Sequence, residues 1–224
     1  DSQNREILYK LSGKSSWRGM NANQVILGMF SRPNIWKKVH IIKVKTPKLR
    51  TLLGLEQDQK FAAFNDFFDD NGNYKIAKQV EFANQLVPSE RGTFERDLIK
   101  VDERLNVFFM SIRGVLLNIF PVPGDENQSW VDFKKMFEGS DNEQLKQSAG
   151  QFLDAVYNRN FDKALEHLQY INHYQMEYGA EIIPSQKRLE SEIAYNKSSL
   201  FIKLSIAYLL FGFVLLLYSL VSLF

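Results

Sequence analysis

Apolar residues fall along this chain in three rhythms, and each rhythm predicts a different kind of element. From Leu204 to Phe224 the run LSIAYLLFGFVLLLYSLVSLF carries no charge and no polar stripe. At about 1.5 Å rise per residue such a run spans roughly 31 Å as a helix, close to the hydrocarbon core of a bilayer. It predicts a transmembrane helix. Tyr208 and Tyr218 supply amphipathic rings for the interface, and Lys203 stands where its ammonium can reach headgroups.

The second rhythm is helical. Phe94, Leu98, Val101, Leu105, Phe108, Ile112, Val115 and Ile119 follow one another at alternating steps of four and three, with Phe109 and Leu116 widening the stripe. This is read as the spine of the soluble part. Gly114 weakens it by about 1 kcal/mol relative to Ala, and Pro121 and Pro123 end it. Shorter helices carry local start and stop signals. Asn21 with Gln24 forms a capping pair for a helix near 22–31, which Pro33 stops. Thr46 and Pro47 open a helix bearing Leu49, Leu52 and Leu53, which stops at Gly54. A third amphipathic stretch runs from Tyr74 to Leu86 before Pro88. Two more, about 142–158 and 161–177, meet at Asn158-Arg159-Asn160, and Gly179 ends the second. The last starts at Pro184-Ser185 and runs through Leu189 and Ile193 into the span. Residues 1–20 read as an incoming helix and a loop, and 125–140 as a loop with a short helix around Trp130 and Phe133.

The third rhythm is β-branched. VHIIKVK (39–45) predicts a strand, with FAAFN (60–64) as its partner, and Asp69 to Asn73 reads as a turn. The expected fold is mainly α with a minor small β element. Residues 1–184 form a helical domain, 185–203 a membrane-proximal helix and 204–224 the transmembrane helix.

Composition narrows the function. The 28 basic and 26 acidic residues leave a net charge of +2, too balanced for a nucleic-acid reader or a polybasic membrane sensor. There is no cysteine, which excludes disulfides, thiolate metal sites and thioether haem attachment within these residues. The chain opens with Asp1 and has no signal-like apolar stretch at its start, so it is read as a segment of a longer protein.

Candidate chemistry is sparse. His167 and His173 are six apart on one helix, about 240° around its axis, and cannot share a ligand site. His40 lies in the strand. Asp66, Asp69 and Asp70 cluster, but counting from Gly72 the EF-hand glutamate position holds Lys78. No phosphate-binding glycine loop and no nucleophile–base spacing is present. No catalytic residue and no metal site is predicted. In IKVDERLN (99–106), Asp102 and Arg104 flank the apolar stripe on opposite sides, while Glu103 points away from it. That pattern fits a charged rim, a buried ion pair or a docking surface. The pair of helices in 151–168, with small Ala155 and Ala164, has a tetratricopeptide-like look, in a single copy.

Five segments, NANQVILGM (21–29), KFAAFNDFFDDNGNYKIA (60–77), IKVDERLN (99–106), NIFPVPGDENQSW (118–130) and YGAEIIPSQKRLESEIAYNK (178–197), occur in an order that resembles one family. It is the System II cytochrome c biogenesis protein of Bacteroidota, of the fused CcsB–CcsA (ResB–ResC) type. The resemblance implies an extracytoplasmic region followed by the helix that returns to the membrane. It further implies that the complete protein moves haem outward and joins it to apocytochrome c, as a cytochrome c–haem lyase. Its implied partners are apocytochrome c, haem, the remaining membrane domains of the same polypeptide and the bilayer. Haem would be bound elsewhere in the full-length protein. The family's membrane-embedded histidines and Trp-rich haem-handling loop have no counterpart here, since Trp130 sits in NQSWVDF with no histidine nearby. Only Asp102, Glu103 and Arg104 carry over, as a signature without a role.

Lys187, Arg188, Lys197 and Lys203 precede the span and, by the positive-inside tendency, favour the cytoplasm for this side. The resemblance implies the periplasmic face of the bacterial inner membrane. A competing reading is a tail-anchored helical adaptor with a peptide groove at 142–177.

Overall fold

The computed structural model describes residues 2–198 and 200–222. Asp1 of the expected domain, Ser199 of the membrane-proximal helix, and Leu223 and Phe224 of the expected span lie outside the described residues. The chain is about 64% helical, with a few short strand pairs, and is thus mainly α as expected. By its contacts it divides into Gln3–Ile182 and Ile183–Phe224.

The first unit opens with α1 (Ser2–Ser12) and a tight turn that leads to α2 (Ala22–Ser31). Asn21 and Gln24 form the capping box that the sequence signals, each side chain accepting the other's backbone N–H at 2.9 Å. Pro33 stops α2 and stands first in α3 (Pro33–Trp36). Next come β1 (Ile42–Lys43), α4 (Pro47–Leu53) and β2 (Phe61–Ala62). β1 and β2 pair antiparallel, Ile42 opposite Ala62 and Lys43 opposite Phe61. The expected partnership is present, but the strand expected over 39–45 shrinks to two residues.

A 3-10 turn at Phe64–Phe67 and an Asp69-centred turn lead to α5 (Ala77–Gln85). α6 (Thr93–Ile112) is the spine, burying Leu98, Val101, Leu105, Phe108 and Ile112. It ends well before Pro121. Gly114 adopts φ +68 just beyond the helix, and a Cβ there would run into the ring of Phe30, so only glycine fits this left-handed helix end. The part of the expected spine at 113–119 forms turns and irregular chain, which lead to β3 (Phe120–Pro121), paired antiparallel with β4 (Trp130–Val131). α7 (Phe133–Gly139), α8 (Glu143–Tyr157) and α9 (Phe161–Gly179) follow. The link between α8 and α9 lies where the sequence places it, with Arg159 in the left-handed region (φ 59).

Two apolar clusters fill this unit. The larger joins α1, α2, β1, α4, α5 and α6 around Leu8, Leu11, Met29, Ile41, Phe67 and Phe108. The smaller gathers Phe120, Phe133, Met136, Leu145, Ile171 and Tyr174. α2 serves both. Val25, Ile26 and Met29 enter the first, while Phe30 packs against Phe133 at 4.6 Å in the second.

The second unit holds α10 (Gln186–Ser198) and α11 (Leu200–Val221). α11 is long and apolar enough to cross a membrane, with a mean hydropathy of 2.4 over its best window and no buried residue. It starts four residues before the expected Leu204.

Candidate functional site

Asp102, Glu103 and Arg104 sit side by side on α6 and point to three different places. Asp102 Oδ1 accepts the Tyr74 hydroxyl at 2.8 Å, and its Oδ2 accepts Asn106 Nδ2 at 3.4 Å. Burial, and then the bond to Asp102, push the Tyr74 phenol well above its ordinary range. Glu103 is half exposed, 3.6 Å from Lys10 Nζ. Such a pair contributes at most about 1 kcal/mol. Arg104 turns inward: its Nε donates to Lys10 O at 3.0 Å and its Nη1 to Lys43 O at 2.9 Å.

Arg104 does not pair with Asp102. Its anion is Asp97, 3.9 Å from Nη1, with side-chain exposures of 11% and 4%. Asp97 Oδ2 accepts three hydrogen bonds, from Thr46 N (2.7 Å), Lys45 N (3.0 Å) and Thr46 Oγ1 (3.0 Å). Its Oδ1 has no hydrogen-bond partner. Burial lowers the Arg104 pKa, against Asp97 and Glu103, which raise it. The node ties α6 to the end of α1, to β1 and to the start of α4. Sequence reasoning passed over Asp97 and Tyr74. A signal for Asp97 existed, because seven residues is about two turns and places it on the Arg104 face.

The three histidines stay apart in role. His40 Nε2 lies 3.5 Å from Asp66 Oδ2, and His173 Nε2 lies 3.9 Å from Glu177 Oε2. Among the described residues, no group of three or more histidines and carboxylates could hold a metal ion. Asp69 accepts Asn73 Nδ2 at 3.0 Å and the backbone N–H groups of Asn73 (2.8 Å) and Asn71 (3.0 Å). The Asn73 side chain and backbone hold its carboxyl below the usual range. Asp69 is a turn residue.

Two surface clefts are sizeable. One, of about 660 Å³, is walled by Pro121, Val122, Met136, Tyr174 and Tyr178 with Lys135 beside them. Tyr174 Oη donates to Pro121 O at 3.2 Å and fixes that wall. The other, of about 500 Å³, is lined by Lys14, Trp17, Arg18, His40, Lys60 and Phe61. Both volumes fall in the range of small-ligand sites.

The chain thus combines a helical unit that bears surface clefts with, later in sequence, a helix long and apolar enough to cross a membrane. No family model matches the chain. Among characterised proteins it is similar to Protein NrfI of Wolinella succinogenes, 47% identical over 217 residues, which are 96% of this chain and 24% of that protein. The chain therefore spans about a quarter of its relative's length.

This finding corrects the resemblance drawn from sequence. The match over the whole chain is Protein NrfI, not the fused CcsB–CcsA type of System II protein. In the fold, residues 21–29 belong to a capped helix, 60–77 hold β2 and the Asp69 turn, 99–106 hold Arg104 of the buried node, and 118–130 hold most of a hairpin.

Proposed function

We propose that this chain is the part of a cytochrome c maturation protein that stands outside the bilayer, together with the helix that enters it. The observation that carries the reading is the 47% identity to Protein NrfI along 96% of the chain. In this reading residues 1–184 face the periplasm, 185–203 approach the membrane and 204–224 span it. Apocytochrome c and haem are the partners, and haem attachment is completed by residues outside this chain. Asp102, Glu103 and Arg104 act on the fold and not on a substrate, because their polar atoms are engaged with Tyr74, Asn106, Lys10 and Lys43.

The mechanism that these features support is positioning. A domain held beside the membrane keeps an unfolded polypeptide and its cargo within reach of each other, which replaces a bimolecular encounter by a local one. The test is covalent haem on a reporter apocytochrome in a bacterium without its own assembly system. The full-length gene is compared with one lacking residues 21–184, with membrane levels of both forms measured. Haem attached by the full-length form alone supports the reading. Equal attachment by both, or none by either, refutes it.

A further inference from the structure

The cleft between Lys14 and Phe61 combines two features. First, it is cationic. Lys14, Arg18 and Lys60 line it and, among the described residues, none of them has a carboxylate within ion-pair distance. His40 also lines it, with Asp66 at 3.5 Å, and that Asp66 oxygen also accepts Ala63 N–H at 2.8 Å. Second, it is aromatic. Trp17 and Phe61 pack edge to face with centroids 4.9 Å apart, and Lys14 Nζ lies 5.1 Å and 5.2 Å from the two ring centres. Trp17 is 5% exposed, so it forms the buried base beneath the cleft.

The backbone beside it is unusual too. Trp17 and Met20 exchange both backbone hydrogen bonds at 2.9 Å around a two-residue turn. Arg18 and Gly19 take φ 48 and φ 81 there. That turn favours Asn-Gly, so arginine occupies its first corner at a conformational cost.

We propose that this cleft binds a planar ligand bearing carboxylates. The ring system lies along Phe61 with Trp17 beneath it, and the carboxylates lie among Lys14, Arg18 and Lys60. Separate cations around an aromatic floor suit two carboxylates on one flat body better than a single compact anion. Resting on the function proposed above, the ligand is the porphyrin of haem, held by its carboxylate edge and not by its metal.

The test titrates the full chain in detergent micelles with metal-free protoporphyrin IX and, separately, with its dimethyl ester, following quenching of tryptophan fluorescence. The comparison variant is Lys14→Glu/Lys60→Glu. Both positions are exposed, and far-UV circular dichroism confirms the fold. Saturable quenching by the diacid is expected, with binding at least roughly tenfold weaker for the ester and for the variant. Trp17→Phe should lose a large share of the quench. Equal binding of diacid and ester, equal binding by the variant, or absence of saturation overturns the proposal. Displacement of the porphyrin by millimolar inorganic phosphate also overturns it, by identifying a site for compact anions. Failure of the two readings is separable. Porphyrin binding with unchanged haem attachment in the deletion strain leaves the cleft and removes the maturation role. Loss of attachment without porphyrin binding does the reverse.

Discussion

Asp97 is the residue whose loss should cost this fold most for the fewest atoms. It is 4% exposed and collects three hydrogen bonds on one oxygen, two of them from the backbone N–H groups of Lys45 and Thr46. Asp97→Ala removes that acceptor. Both backbone bonds are part-buried, and each one lost costs about 0.5–1.5 kcal/mol. Arg104, itself 11% exposed, loses its nearest carboxylate. Breaking a buried charge pair from one side costs about 3–5 kcal/mol. The penalties overlap, because water reaches part of the opened space, and the expected total is about 3–5 kcal/mol. Asp97→Asn keeps one accepting oxygen but loses the charge and aims an amide at the guanidinium, so about 1–3 kcal/mol is expected.

The assay is urea unfolding of the full chain in micelles, read by tryptophan fluorescence. With a slope of about 2 kcal/mol per molar, a loss of 4 kcal/mol moves the midpoint down by about 2 M. Combining Asp97→Asn with Arg104→Met should cost less than the two changes summed, by about 1 kcal/mol, because each change removes part of the reason for the other. A midpoint shift below about 0.5 M for Asp97→Ala would refute the reasoning. It would mean that Lys45 and Thr46 find other acceptors and that the node holds nothing together.

Three further outcomes follow from single positions. Gly114→Ala meets both a left-handed backbone and the Phe30 ring at 2.3 Å, so it should cost about 2–4 kcal/mol in the same titration. Tyr74→Phe should cost about 1–2 kcal/mol at neutral pH through the lost bond to Asp102. The folded state raises the Tyr74 phenol from its ordinary value of 10.0, so its contribution is fully present below that pH and is lost as pH rises beyond it. Thermal unfolding from pH 8 to 11 should therefore show a steeper alkaline fall for the wild type than for Tyr74→Phe. Arg18→Asn should relieve the turn, raising stability by about 0.5–1 kcal/mol while weakening porphyrin binding. Stability and binding moving in the same direction would contradict that account.

What the sequence reveals here is what each residue settles with neighbours a few positions away. The capping box at Asn21 and Gln24 lies three residues apart, and α2 begins where that pair places it. The Asn158-Arg159-Asn160 link separates α8 from α9 by the same local logic. The strand expected over 39–45 is shortened at both ends, at one of them for a distant reason. At its start Val39 and Ile41 donate to Trp36 O and Val39 O in turns, and past Val44, which still donates to Lys60 O, the Thr46 N–H goes to Asp97, about fifty residues away, and not to β2. The spine stops at Ile112, and Gly114 follows in the left-handed region with the ring of Phe30, from another helix, against it. The apolar stripe continues past that point, and Gly114 within it is the local sign of the stop.

The same distinction governs the sites. Asp102 and Arg104 stood out because they flank a periodic stripe, but their partners lie at Tyr74, Lys10, Lys43 and Asp97. Read locally, Asp102 and Arg104 flank the stripe on opposite sides and Glu103 points away from it. In the folded chain they serve three separate contacts, and the buried anion is one that the motif does not contain. The cationic cleft is the extreme case. It takes Lys14, Trp17 and Arg18 from one turn, His40 from a second segment and Lys60 and Phe61 from a third. None of those segments has a recognisable spacing, and the overall charge of +2 gives no hint of a local excess. A site assembled from short pieces of three loops leaves no periodic trace in the chain. It becomes visible only when the fold has brought its cations together without bringing carboxylates to Lys14, Arg18 or Lys60.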